Sequence, residues 1–146
     1  MIILKKCLLI IVFIFLLPIA FSSMYDNTFF NKYWYNNYIE DLEFSGCGEI
    51  RVVIVNNSIT NYTWHTAHFY RYGTRYKFET RCNAKRYDTL IHSHIPEDTE
   101  CRFSTLDYTG IRLKTFKYWV LYCNNNTMRI AYIDYWNNIY EGVFKI

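Results

Sequence analysis

Phe116-Lys-Tyr-Trp-Val-Leu-Tyr-Cys123, then Asn124-Asn-Asn126, then Thr127-Met-Arg-Ile-Ala-Tyr-Ile-Asp-Tyr-Trp136 is the stretch whose reading decides the fold. Two runs of aromatic and aliphatic residues flank a polar turn. Asn tolerates left-handed backbone angles, so Asn124 to Asn126 suits a tight connection. Aromatic and branched side chains fit a pleated surface. The stretch reads as an antiparallel hairpin. Its arms are too apolar to stand alone in water, so further strands must cover at least one face.

The neighbouring segments supply those strands. In Glu49 to Val55, Ile50, Val52 and Ile54 share one face, while Glu49, Arg51 and Val53 share the other. That alternation marks a half-buried strand. A second strand is expected over Thr60 to Arg71. A third, Tyr76 to Arg81, sets Tyr76, Phe78 and Thr80 against Arg75, Lys77, Glu79 and Arg81. Arg86 to His92 and Arg102 to Leu106 read as weaker strands, with a turn at Asp107 to Gly110. Ile139 to Ile146 reads as the last strand, after the turn signal Asn137-Asn138. Asp26 to Tyr38 reads as an approach segment, and no amphipathic helix is expected downstream of the leader. Regular short strands separated by turn signals point to an all-β sandwich or barrel.

The chain starts with a leader. Lys5 and Lys6 precede an apolar run from Cys7 to Leu17, and Ala20-Phe21-Ser22 offers small residues for cleavage. That is the pattern of a secretory signal peptide over 1–22; the run is short of the ~20 apolar residues a membrane span needs. The expected mature domain is 23–146, secreted and without a membrane span. The chain has 16 Lys plus Arg against 13 Asp plus Glu, and removing Lys5 and Lys6 leaves 14 against 13, a net of +1. No concentrated basic face speaks for nucleic acid.

Removal of Cys7 with the leader leaves Cys47, Cys82, Cys101 and Cys123. An even count in a secreted chain implies two disulfides, with three pairings open. Asn56-Asn57-Ser58, Asn61-Tyr62-Thr63 and Asn125-Asn126-Thr127 are sequons, so Asn56, Asn61 and Asn125 are candidate glycan sites.

Three features resemble the lipocalin family. Lys32-Tyr33-Trp34-Tyr35 looks like that family's Gly-x-Trp-Tyr motif, with Asn31 displacing the glycine. Cys47-Gly48 resembles the cysteine that opens the second strand of insect lipocalins. Val120-Leu121-Tyr122-Cys123-Asn124 looks like the family's Val-Leu-x-Thr-Asp-Tyr hairpin, with Cys123, Asn124 and Asn125 at its last three positions. The resemblance implies an antiparallel up-and-down eight-stranded β-barrel, here without the usual C-terminal helix; a β-sandwich is the alternative. It makes Trp34 a structural plug at the closed end, near the turn Asn124 to Asn126. It also implies the pairs Cys82–Cys123 at that end and Cys47–Cys101 toward the open end.

A barrel of this size holds one small ligand. Lys117 should face water, which by parity turns Phe116, Tyr118, Val120 and Tyr122 inward to meet Tyr76, Phe78, Ile50, Val52 and Ile54. Such a lining suits a small hydrophobic molecule with a few polar groups. The plainer reading is that these side chains only fill the interior. A second functional reading is a secreted protein-interaction domain. In it the abundant Tyr, Trp and Asn form an outer patch that contacts a secreted or cell-surface partner.

His65 and His68 fall on opposite faces of a strand. His92 and His94 share a face and could bind a metal or titrate together, but two exposed histidines leading into a loop is the plainer reading. No metal site or cofactor is expected. Nothing places an acid–base pair together, and neither a Gly-x-Ser-x-Gly element nor a phosphate loop is present, so the chain is not read as an enzyme.

Overall fold

The computed structural model describes residues 24–70, 73–74, 77, 81–95, 100–123 and 126–146. The leader, most of the expected strand Tyr76–Arg81 with Tyr76 and Phe78, and the sequon Asn125 lie outside them. A helix over residues 24–33, α1, runs into a π-helical turn, Trp34–Ile39. Then come β1 (Ser45–Val55), β2 (Ser58–Tyr70), β3 (Thr89–Ser93), α2 (Thr105–Arg112), β4 (Tyr118–Cys123), β5 (Thr127–Ile133) and β6 (Ile139–Lys145).

The fold is mostly β. The six strands close into a ring in the order β1-β2-β6-β5-β4-β3, with β3 returning to β1. This differs from the expected eight antiparallel strands. Among the described residues there are six, and two of the six contacts are parallel: β3 with β4, and β2 with β6 through the single pair Ser58↔Glu141. A parallel pair needs a long crossover rather than a hairpin. Residues 94–117 provide it for β3 and β4. In place of the expected strand Arg102–Leu106 and the turn after it, residues 102–104 are irregular and α2 starts at Thr105, with Gly110 and Ile111 packed over the outward-facing Trp119.

The quoted hairpin forms. β4 and β5 pair antiparallel from Tyr118↔Tyr132 to Cys123↔Thr127, and Asn126 takes φ 52° in the turn. The arms are shorter than expected because the second ends at Ile133, where Asp134 starts the next turn.

Strand alternation sorts the side chains into two cores. Ile50, Trp64, Ile91, Tyr118, Val120, Tyr122, Met128 and Ile130 point into the ring. Leu90, Trp119, Leu121, Ala131 and Ile133 point outward, where Phe103, Ile111 and Phe116 cover them. Gly110 lets α2 lie flat on that outer face; a Cβ there would sit 2.6 Å from the Trp119 ring.

Helix α1 fills the ring. Asp26, Phe29 and Tyr33 form its buried stripe, at 1%, 1% and 5% exposure. Fully burying Phe29 stabilises by about 1.5–3 kcal/mol. Ordering one residue's backbone costs about 1–2 kcal/mol, so one aromatic anchor cannot hold ten helical residues. Phe30, Tyr33 and the hydrogen bonds of Asp26 must supply the rest.

Candidate functional site

The ring interior holds Tyr118, Val120 and Tyr122 from β4, Ile50 from β1 and, half-buried, Val52 and Ile54. Phe116 does not join them. It precedes β4, so strand parity does not govern it, and it packs in the outer core instead. The interior is occupied by other side chains. Phe29 stacks on Tyr122 with ring centroids 5.3 Å apart, and Phe44 lies 6.1 Å from Phe29. Below them is a buried polar knot. Tyr122 Oη and Trp64 Nε1 donate to Asp26 Oδ1 at 2.6 and 3.0 Å, and Tyr62 Oη donates to Oδ2 at 2.6 Å. Burial raises the Asp26 carboxyl above the usual carboxylate value, and the three donors offset this only in part. Burial, then the neighbouring carboxylate, pushes both phenols up.

The β5–β6 turn presents the opposite situation. Tyr135 and Trp136 are 85% and 76% exposed, ring against ring at 5.8 Å and 89°. The backbone beneath them is fastened by Asp134. Its Oδ1 accepts from the Trp136 and Asn138 amides at 2.9 and 2.8 Å, and its Oδ2 accepts from Asn138 Nδ2 at 3.0 Å and Tyr140 Oη at 3.3 Å. Asn137 closes the turn at φ 68°. Lys114 donates to the Tyr135 carbonyl at 2.7 Å, and its ammonium stands 5.6 Å from the Tyr135 ring centre. Large aromatic rings on a fixed backbone have little conformational freedom left to lose in any contact they make.

A third cluster lies between β3 and α2. His92 projects outward from β3 and is fully buried, contrary to the expected exposed histidine, because α2 and Phe103 cover that face. His94 follows on the same side. Asp107 meets both: His92 Nε2 is 3.2 Å from Oδ1 and His94 Nε2 is 2.9 Å from Oδ2. The carboxylate is already oriented, since Ser104 and Asp107 form a capping box at the start of α2. Burial holds the His92 imidazole below its ordinary value, with Asp107 opposing. Burial alone would raise Asp107, but the adjacent histidines and the Ser104 amide hold it well below the carboxylate range.

The remaining expectations divide. Trp34 is 59% exposed on the π-helical turn and does not plug the ring; α1 adds the aromatics Phe29, Phe30 and Tyr33 to the interior. The cysteines pair as Cys47–Cys82 and Cys101–Cys123, with Cα separations of 5.6 and 5.5 Å, in place of the expected pairs. The crossover is the reason: it lays Cys101 beside the end of β4 and leaves Cys82 for β1. Asn56, in the β1–β2 turn, and Asn61, on β2, are both exposed, as are His65 and His68.

Two signals in the sequence announce what was missed. Asp26, Phe29 and Tyr33 recur at helical spacing. Ser104-x-x-Asp107 has the form of a capping box and marks the helix that brings Asp107 to the histidines. Compared with family models, with curated proteins and with solved structures, the chain matches none.

Proposed function

We propose that the protein is a secreted interaction module that recognises a partner protein through the aromatic tip formed by Tyr135 and Trp136. The observation that carries this reading is two neighbouring large aromatics, mostly in solvent, on a turn whose backbone Asp134 already fixes. Tyr and Trp are the side chains that anchor interfaces, and a preset turn reduces the ordering cost of docking. Secretion is supported by the apolar leader, the two disulfides and the exposed sequon residues Asn56 and Asn61. Among the described residues no helix is long and apolar enough to cross a membrane. Carriage of a small hydrophobic ligand inside the ring has less support, because Phe29, Phe44 and Tyr122 occupy the interior.

The test places a photoactivatable aromatic amino acid at position 136 or, as a control, at the exposed Lys85 of the full disulfide-bonded chain. Cross-linking to one extracellular protein from position 136 alone, abolished by Tyr135→Ser, is the expected result. Equal labelling from both positions overturns the reading. Saturable one-to-one uptake of an apolar fluorescent probe, altered by Phe29→Ala, returns the support to a ligand within the ring.

A further inference from the structure

We propose that His92, His94 and Asp107 form a binding site for a divalent transition-metal ion of the zinc class. One ligand atom from each of the three lies within 4.8 Å of the others. Zinc takes imidazole nitrogen and carboxylate oxygen at about 2.0–2.2 Å, which sets tetrahedral ligand atoms roughly 3.5 Å apart. His92 Nε2 stands 3.2 Å from Oδ1 and His94 Nε2 stands 2.9 Å from Oδ2, so each imidazole already faces its own oxygen of the one carboxylate near that spacing. Bringing one carboxylate oxygen and both imidazoles from within 4.8 Å to that spacing takes side-chain movement on the order of 1 Å.

Fold and sequence fix the three ligands from different directions. Alternation within β3 turns His92 outward, and His94, one residue past the end of the strand, brings its ring centroid 5.2 Å from that of His92. The capping box aims Asp107 from α2, its Oδ2 accepting from the Ser104 amide at 2.8 Å. Outer partners that orient a ligand are the usual support of a metal centre. The His92 ring is held edge-on to Trp119, with centroids 5.7 Å apart at 82°. His92 and Asp107 are 0% and 6% exposed at their side chains, while His94 is 15% exposed, so an ion has an approach on the His94 side.

The donor set selects the ion class. Two imidazoles and a carboxylate suit zinc, cobalt, nickel or copper; magnesium and calcium prefer all-oxygen sites. The bland alternative is a histidine–aspartate–histidine hydrogen-bond chain that only pins α2 to β3. It predicts no affinity for metal, so the two readings separate by direct binding.

The experiment uses the full disulfide-bonded chain, stripped of metal and titrated with zinc, with imidazole 15N shifts as the readout. The expected result is one equivalent bound, with shifts confined to His92 and His94. His94→Ala should weaken binding by at least about 100-fold, beyond the roughly 10–100-fold typical of losing an outer partner. His65→Ala and His68→Ala should leave affinity unchanged. No stoichiometric binding by the unaltered chain overturns the proposal. So do shifts at His65 or His68 in place of His92 and His94. Because the unaltered chain supplies the deciding readout, a variant that fails to fold does not rescue the idea.

Discussion

Tyr122 on β4 donates its hydroxyl hydrogen to Asp26 Oδ1 across 2.6 Å, joining residues 96 apart in sequence. That bond ties the first described helix to the hairpin on which the ring is built. With the donors from Tyr62 and Trp64, it makes Asp26 the point where α1, β2 and β4 meet. A carboxylate there is costly to bury, yet its removal strands three donors. The balance of those two effects can be measured.

Asp26→Asn keeps the shape and one strong acceptor. Its carbonyl oxygen can take the Tyr122 and Trp64 donors while its amide donates to Tyr62. Asp26→Ala leaves three buried donors stranded and should cost about 3 kcal/mol or more, since each unsatisfied group costs about 1–3 kcal/mol. The pH dependence has a definite sign. Burial raises the folded carboxyl above its ordinary 3.8, so the stability it contributes is full below pH 3.8 and is lost as pH rises through the folded value. Urea unfolding of Asp26→Asn should lack that loss and show stability near neutrality equal to or above the parent. An Asn variant that falls as far as the Ala variant would show that the charge itself is needed.

His92 titrates in the opposite direction. Burial depresses His92 below 6.5, so the folded chain takes up that proton later than the unfolded chain. Its contribution is complete above about pH 6.5 and fades as pH falls from there toward the folded value. Denaturant midpoints should therefore begin to drop below about pH 6.5 in metal-free protein. His92→Gln should remove that early drop and also shrink the later acid loss below 3.8, since His92 is foremost among the groups that hold Asp107 down against its burial. An unchanged pH profile in the variant refutes the assignment.

What the sequence made legible follows the reach of periodicity. The alternation in Glu49 to Val55 and the Asn turn after Cys123 are local signals, and β1 and the β4–β5 hairpin appear where they point. Ring closure is not local. It depends on a parallel β3–β4 contact that only the crossover through α2 permits, and that helix hides in a segment rich in β-formers and turn residues. Cysteine pairing and the approach of Asp107 to His92 both depend on the same crossover. The interior was misjudged for a related reason. Phe29 and Tyr33 have aromatic character that suits strands, and only their helical spacing with Asp26 reveals a helix that fills the space left for a ligand.

Gly110 tests how tightly α2 is seated. Replacing glycine by alanine within a helix usually gains up to about 1 kcal/mol. Here the new Cβ would stand 2.6 and 2.9 Å from two Trp119 ring atoms, and overpacking of this kind costs about 1–3 kcal/mol. Overpacking should win. Gly110→Ala is expected to lower stability by up to about 2 kcal/mol, read as a reduced urea midpoint with an unchanged slope. A gain in stability would mean that α2 sits farther from the sheet than described.

Asp134→Ala addresses the aromatic tip without touching its rings. Burial pushes the carboxyl pKa up, but the bonds accepted from two backbone amides, the Asn138 side chain and the Tyr140 hydroxyl together hold it below the ordinary carboxylate value. Because the site is at the surface, global stability should change little. Local order should change much more. Hydrogen exchange at the Trp136 and Asn138 amides should speed up severalfold, while amides in the centre of β5 keep their protection. Cross-linking from position 136 should weaken in parallel, since the rings remain but their preset arrangement is gone. If exchange at those two amides is unaltered, Asp134 does not fix the turn, and the tip loses the rigidity on which its proposed role rests.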